Sequence, residues 1–318
     1  MKIYRDFGSF IAKINANPPL CFDMRKMSLG RAYRKASGIY SNEIHVAIVG
    51  EPHHVETQQE LKQDLGENMP LIYAGTAGLV NFGYIAALKP AGVILWDVNY
   101  AQSVFWTIMI EALAKNETLQ DFLTFLKDSP NIVTDAVTRS LQKSNTEFFT
   151  ASESTPGPYI RHNIYPYRLP RNIEEWIEDA LNNNDDSYIR GDLTWLTDDA
   201  YATLHTLAKN NAIGVLTLDI THMRSFDQLA GELKKAPLEL VDTDKPDEAP
   251  TIRSNPKIDI MYISNIFAFL SRSHDWTRRK IFKPLSFVDN LAYIAQDNIM
   301  KVTHSGSIII DGMKKRPR

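Results

Sequence analysis

The sequence predicts an α/β fold in which a mostly parallel central sheet carries helices on both faces. The first observation is a pair of short apolar runs, residues 71–73 and 93–97, separated by a glycine turn at 75–78 and a helical segment at 79–88. Strand, tight turn, helix and strand in this order indicate parallel pairing through a right-handed crossover. The second observation is that further strand-like runs alternate with helical patterns. These runs lie at residues 214–219, 258–263 and 307–310.

The remaining segments define the expected organisation of the chain. Residues 1–68 precede the regular alternation and are interpreted as an N-terminal extension with an amphipathic stretch at 10–14. Residues 69–318 form the predicted main domain, in which 117–197 are interpreted as an inserted helical lid over the carboxyl ends of the strands. An acidic loop is expected at 239–250. The other predicted helices lie at residues 102–115, 119–127, 132–143, 173–181, 197–209, 225–235 and 287–295.

Composition excludes several classes of protein. A net charge of −3 provides no basic field for nucleic acid, so none is expected as a partner. Cys21 is the single cysteine, which rules out an intrachain disulfide framework, and no cysteine–histidine spacing indicates a zinc site. Neither a signal peptide nor an apolar run long enough to span a bilayer is evident. A cytoplasmic location is therefore expected, with non-classical export left open.

Asp97 is the residue that first indicates a function. It ends the second predicted strand and lies 22 positions after Gly75. In nucleoside-binding α/β sheets, an acidic residue about 20 positions beyond the glycine turn accepts hydrogen bonds from ribose hydroxyls. A glycine at the turn lets the backbone approach a cofactor where a Cβ atom would collide. The alternative interpretation is that Asp97 caps a helix in an ordinary strand–helix–strand unit.

Four segments resemble the class I, Rossmann-like S-adenosylmethionine-dependent methyltransferases. Residues 73–78 stand at the place of the glycine-rich first motif, and 96–99 resemble the ribose motif of the second strand. Residues 218–221 resemble the third strand end, and 259–265 the fourth-strand motif. The resemblance implies S-adenosylmethionine as the cofactor. The cofactor-binding residues it implies are Tyr73, Ala74, Gly75, Thr76, Asp97, Val98, Asp219, Ile220 and Ser264.

The fourth-strand motif also indicates the reaction site and the acceptor. Tyr262, Ser264 and Asn265 are expected to line the place of methyl transfer. Methyltransferases that act on DNA bases or glutamine amides carry Asp/Asn-Pro-Pro-Tyr there, whereas this chain has Ser-Asn-Ile-Phe at 264–267. The resemblance therefore implies a small-molecule or protein acceptor rather than a DNA base.

Two alternatives follow from the first motif. Tyr73 stands where the family usually has an acidic residue, and Ala77 and Leu79 replace later glycines. These departures suggest a catalytically inactive methyltransferase-like protein that binds a nucleoside or a partner protein. A nicotinamide-dependent oxidoreductase is disfavoured because the turn lacks the G-x-G-x-x-G pattern that receives a pyrophosphate.

Overall fold

The structure is a computed structural model that describes part of the 318-residue chain. The described residues are 1–16, 58–59, 70–76, 78–97, 100–129, 132, 193–217, 229, 231–254, 256, 258–264, 292–295, 298–302 and 308–310. The described strands are β1 (Lys2–Tyr4), β2 (Ile72–Gly75), β3 (Gly92–Asp97), β4 (Ile213–Thr217), β5 (Leu238–Asp242), β6 (Thr251–Arg253), β7 (Ile260–Ser264), β8 (Ala292–Ala295), β9 (Asn298–Val302) and β10 (Ile308–Ile310). The described helices are α1 (Phe7–Asn15), α2 (Val80–Leu88), α3 (Tyr100–Lys115), α4 (Leu119–Asp128) and α5 (Asp198–Lys209).

The main sheet has seven strands in the order β10-β9-β8-β7-β2-β3-β4. Strands β4, β3, β2, β7 and β8 pair in parallel, whereas β9 and β10 complete one edge in antiparallel fashion. From β2 the chain builds outward to β3 and β4, and it later returns to the other side of β2 with β7 and β8. The order therefore reverses between β2 and β7, which makes this pair the topological switch point of the sheet. The predicted α/β fold with a mostly parallel sheet is confirmed.

Strands β2 and β3 lie side by side inside the sheet and are buried on both faces. Every residue of both strands is buried. This is the pattern expected of parallel strands that are covered by helices on each side. Helices α4 and α5 begin at threonine N-caps, since the side chains of Thr118 and Thr197 accept hydrogen bonds from backbone N–H groups three residues ahead. Both helices thus have defined starts within the helical layer.

In the described part of the chain, helices pack on both faces of the main sheet. On one face, here called the α2 face, Phe82 of α2 packs against Trp106 at 5.5 Å and Trp195 at 5.4 Å between ring centroids. Helices α3 and α5 pack beside α2 and complete this aromatic core. On the opposite face α1 lies against β3 and β4. It approaches so closely that a Cβ atom at Gly214 would overlap the side chain of Ile11.

The N-terminal residues are thus packed on the sheet. The predicted amphipathic stretch at 10–14 lies within α1. Asn15, at the end of α1, accepts a hydrogen bond of 2.9 Å from the backbone N–H of Thr217 on the outermost strand β4. That contact satisfies a polar group at a sheet edge, where unpaired N–H groups would otherwise be exposed to other chains.

A small antiparallel sheet corrects one prediction. Strands β1, β5 and β6 form a three-stranded sheet in the order β1-β5-β6. The acidic loop expected at 239–250 is therefore wrong for residues 239–242, which lie in β5. The run Glu-Leu-Val-Asp at 239–242 has no clear alternation of apolar and acidic residues, and pairing with β1 and β6 makes it a strand. The loop itself is confined to residues between β5 and β6.

The C-terminal part corrects a second prediction. The helix expected at 287–295 is wrong for residues 292–295, which form β8. A short apolar run is compatible with either element, and pairing of β8 with β7 decides it here. Strand β9 was not predicted. Several other predictions lie outside the described residues. They are the segments at 17–57 and 60–68, the helices at 132–143 (apart from residue 132) and 173–181, and residues 218–228.

Arg253 fastens the small sheet to the amino ends of β2 and β7. Its guanidinium donates 2.6 Å hydrogen bonds to the Tyr4 hydroxyl and to the carbonyl oxygen of Pro70. It also lies 3.5 Å from the carboxylate of Asp259, which accepts a 2.7 Å hydrogen bond from the backbone N–H of Ile72. Burial raises the pKa of Asp259, and the bonds from Ile72 and Arg253 offset only part of that effect.

We predict that Arg253→Leu lowers the free energy of unfolding by about 2 kcal/mol, because it leaves the buried carboxylate of Asp259 without its cation. The matched control is Arg5→Leu on the same small sheet. The Arg5–Glu239 pair is about half exposed, with side-chain accessibilities of 54% and 45%, so its loss is expected to cost below about 1 kcal/mol. Urea denaturation of both variants measures the difference. Equal losses would contradict this account of the small sheet.

We predict a pH-dependent difference between the wild type and Asp259→Asn. A raised pKa means that folding favours the protonated acid, so this stability is complete below the ordinary value of 3.8 and is lost as pH rises through the folded pKa. The variant lacks this titration. The free energy of unfolding of the wild type should therefore fall relative to that of the variant as pH rises from 3.8. A constant difference in urea denaturation across that range would contradict the burial argument.

Candidate functional site

Most of the predicted site residues meet at the carboxyl edge of three adjacent strands. Strand β2 ends at Gly75, β3 at Asp97 and β7 at Ser264, and β2 lies between the other two. The register places Gly75 opposite both Leu95 and Tyr262. The glycine turn therefore opens at the switch point between β2 and β7, which is where ligands bind in open α/β sheets.

Four of the predicted residues cannot be placed in this arrangement. Val98, Asp219, Ile220 and Asn265 lie outside the described residues. Ser264 is described by its backbone, as the last residue of β7. Tyr73, Ala74, Gly75, Thr76, Asp97 and Tyr262 are described in full.

Asp97 is buried beside the glycine turn, with 8% of its surface exposed. The Thr76 hydroxyl donates a hydrogen bond of 3.4 Å to its Oδ2 atom. The backbone N–H of Thr76 donates to the carbonyl oxygen of Tyr262 at 3.2 Å, which joins the turn to β7. The acidic side chain and the turn are therefore in contact, as the spacing of 22 residues predicted.

The sequence interpretation missed two hydroxyl residues at this edge of the sheet, Thr217 of β4 and Ser103 of α3. Thr217 pairs with Asp97 across β4 and β3, so their side chains share the α2 face. Its hydroxyl donates 3.1 Å to the Ser103 hydroxyl of α3, which in turn donates to the Leu216 carbonyl oxygen at 3.4 Å. The available signal was a threonine inside the predicted strand at 214–219, and the observed strand ends at this residue. These contacts tie α3 to the same edge of the sheet.

The predicted tyrosines lie in the aromatic core. Tyr73 and Tyr262 are fully buried. Both contact Tyr84 of α2, with ring centroids 6.3 Å and 5.3 Å apart. Ala74 faces the opposite side of the sheet and is also buried. Tyr73 and Tyr262 therefore belong to the buried core between the sheet and α2. Thr76 and Asp97 lie at the carboxyl edge of the sheet.

Asn81 occupies the inside of the glycine turn, and the sequence interpretation missed it. Its Nδ2 atom donates to the carbonyl oxygens of Thr76 at 2.8 Å and Gly78 at 2.7 Å. Its Oδ1 atom accepts a 2.8 Å hydrogen bond from the Tyr73 hydroxyl. The residue has no exposed surface. The available signal was an amide side chain in the first turn of a helix whose other residues are apolar.

This network explains why residue 75 is glycine. A Cβ atom at Gly75 would overlap the Oδ1 atom of Asn81 and would lie 2.8 Å from the ring and hydroxyl of Tyr73. Internal packing therefore requires glycine here, whatever binds outside the turn. The side chain of Asn81 therefore supports the described part of the turn from inside, next to Thr76.

The described residues contain no cluster of three or more histidine, cysteine, aspartate or glutamate side chains that could hold a metal ion. None of the described helices has the length and apolar character needed to cross a membrane. The chemistry available at the described edge comes from one carboxylate and several hydroxyl groups. Such groups accept and donate hydrogen bonds to polyhydroxylated ligands.

We predict that Gly75→Ala lowers the free energy of unfolding by about 2 kcal/mol, because the new methyl group is forced against Asn81. In an Asn81→Ala background the same substitution should cost at least about 1 kcal/mol less, which a double-mutant cycle measures. The matched control is Gly231→Ala, since nothing lies within 4 Å of a Cβ atom there. Additive effects of the two turn substitutions would contradict the packing explanation.

A comparison of the chain with curated proteins gives no match. A family of domains does match, over residues 52–241, and its description is "Domain of unknown function (DUF7790)". The matched region contains the glycine turn, Asp97, Asn81 and strands β2 to β4. It covers more than half of the 318 residues. The chain therefore belongs to the DUF7790 family.

Proposed function

We propose that the protein is an S-adenosylmethionine-dependent methyltransferase whose cofactor lies at the carboxyl edge of β7, β2 and β3. The observation that carries the proposal is the contact between Thr76 in the glycine turn and the buried carboxylate of Asp97, at the switch point of the sheet. A carboxylate at this place is suited to accept hydrogen bonds from two neighbouring ribose hydroxyls.

The described residues fit the ribose of this cofactor best. Asp97 suits the ribose because its carboxylate is fixed by the Thr76 hydroxyl and is partly shielded from water. The inside of the turn offers no room, because Asn81 fills it. The cofactor is therefore proposed to lie against the outer side of the turn. Val98, Asp219 and Ile220 complete the proposed cofactor set from the sequence resemblance.

Methyl transfer requires little acid–base chemistry from the protein. S-Adenosylmethionine supplies a methyl group that its sulfonium already activates. The chain's contribution is to align cofactor and acceptor and to keep water away from them. In the proposal, β7 carries this part of the site through Ser264 and Asn265, and the buried ring of Tyr262 fixes the strand beneath them.

The acceptor is proposed to enter from the side of residues 117–197. The described beginning of this segment, α4, packs into the helical layer through the buried side chains of Phe122 and Leu126. Trp195 near its end joins the same core at 6.0 Å from Phe122. Both ends of the proposed lid are therefore anchored in the domain. A small molecule or a protein is the proposed acceptor class.

A second candidate function is nucleoside or partner-protein binding without catalysis. The observation that favours it is the hydrogen bond between Tyr73 and Asn81, which occupies the place of the acidic residue in the methyltransferase motif. That bond pairs the Tyr73 hydroxyl and the Asn81 amide oxygen with each other inside the protein. A protein that has lost the reaction would retain Asp97 and the turn as a binding surface.

We predict that S-adenosylmethionine and S-adenosylhomocysteine bind the full chain at micromolar concentration in calorimetric titrations. Asp97→Asn should weaken both by about 10- to 100-fold, because it removes charge-assisted hydrogen bonds. The matched control is Asp247→Asn in the exposed loop between β5 and β6, which should leave both affinities unchanged. Absence of binding by either compound would contradict the leading proposal. Binding without methyl transfer to any acceptor would favour the second candidate.

A further inference from the structure

We propose that the N-terminal helix α1 is part of the candidate site, because Asn15 at its end holds the last residue of β4 beside Asp97. The inference rests on the proposed function for the identity of the ligand. It adds Asn15 as a positioning residue, which acts through Thr217 and is not expected to touch the ligand. Helix α1 lies outside the region 52–241 that matches the family. In this proposal the functional unit is therefore larger than the matched domain.

The first argument concerns the position of Thr217 in the sheet. Thr217 is the last residue of β4, and β4 stands at the end of the strand order of the main sheet. It pairs with Asp97 of β3 in the parallel register. A strand at the edge of a sheet has a partner strand on one side only. The position of Thr217 relative to Asp97 therefore depends on what holds the end of β4 from its other side.

The second argument concerns the contacts of α1 with β4. In the middle of the strand, Ile11 packs so closely on Gly214 that a Cβ atom there would overlap its side chain. At the end of the strand, the Oδ1 atom of Asn15 accepts a 2.9 Å hydrogen bond from the backbone N–H of Thr217. The helix therefore runs along β4, and Asn15 supplies its bond at the same end of the sheet as Asp97.

The third argument concerns the link from Thr217 to α3. The Thr217 hydroxyl donates a 3.1 Å hydrogen bond to the hydroxyl of Ser103, which donates to the carbonyl oxygen of Leu216 at 3.4 Å. Ser103 lies in the first turn of α3, and α3 begins three residues after Asp97. Thr217 thus connects α1 on one face of the sheet with α3 on the other. Release of Thr217 from Asn15 is therefore expected to disturb the surroundings of Asp97.

The first test needs no ligand and uses amide hydrogen exchange of the isotopically labelled full chain, followed by NMR. In Asn15→Leu the amide of Asp97, whose strand pairs with β4, should exchange at least about tenfold faster than in the wild type, because the end of β4 opens more often. Asn15→Asp keeps an oxygen acceptor and should restore the wild-type rate. An unchanged rate at Asp97 in folded Asn15→Leu would overturn the inference.

The matched control is Ser9→Ala at the opposite end of α1. The Ser9 hydroxyl accepts a 2.7 Å hydrogen bond from the amide of Asn211, just before β4 begins. The control therefore removes one side-chain bond of the same helix, but at the amino end of the sheet. It should leave the exchange rate of Asp97 unchanged. Equal acceleration in Ser9→Ala and Asn15→Leu would mean that Asn15 acts only through the stability of α1, which would overturn the inference.

The second test connects Asn15 to the ligand by calorimetric titration with S-adenosylhomocysteine. Asn15→Leu should weaken binding about fivefold. In the Asp97→Asn background the same substitution should have little further effect, because Asn15 acts through the position of Asp97. Additive effects of the two substitutions would overturn the inference and leave the proposed function intact. Absence of binding by the wild type would overturn the proposed methyltransferase, and the exchange rate of Asp97 would then decide the inference alone.

Discussion

The hydrogen bonds of Asn81 are the constraint on which the candidate site depends. One amide side chain holds two carbonyl oxygens of the glycine turn and receives the hydroxyl of Tyr73 from the central strand. Because these bonds are buried, they determine the path of the chain from β2 into α2. The path in turn places Thr76 against Asp97. The buried side chain of Asn81 therefore positions Thr76 and Asp97 at the carboxyl edge of the sheet.

The two ends of the main sheet have different roles. At the amino end, Arg253 and Asp259 join the small antiparallel sheet to β2 and β7, and the aromatic ring of Tyr4 lies 6.0 Å from the guanidinium carbon. The ionised groups there neutralise one another. At the carboxyl end, the carboxylate of Asp97 accepts a hydrogen bond from the Thr76 hydroxyl, and Thr217 of β4 lies beside it in the register of the sheet. The contacts at the amino end stabilise the fold, and we propose ligand binding at the opposite end of the same strands.

The sequence predicted the elements whose pattern is local. The apolar runs that form β2, β3 and β4, and the helices α4 and α5, follow from hydrophobic periodicity. It failed where pairing partners decide the structure. Residues 292–295 form a strand because β7 and β9 lie on either side of them, and residues 239–242 do so because β1 and β6 flank them. No local pattern contains that information.

In the candidate site too, the sequence predicted what depends on local spacing and missed what depends on distant partners. The spacing from Gly75 to Asp97 predicted their proximity, because the right-handed crossover fixes where the next strand ends. Asn81 was not predicted, since the role of a buried amide depends on which carbonyl groups surround it. Tyr73 was read as a departure from an acidic motif residue, and the structure shows a second role for it, as the donor that fixes Asn81.

The most direct test of the account is amide NMR of the isotopically labelled full chain during titration with S-adenosylhomocysteine. The account predicts that the backbone signal of Thr76 and the side-chain amide signals of Asn81 shift on binding, because both adjoin Asp97 or the turn. Signals of Arg253 and Ile72, at the amino end of the sheet, should remain unchanged. Shifts confined to the amino end, or no shifts at all, would contradict the placement of a nucleoside site at this edge.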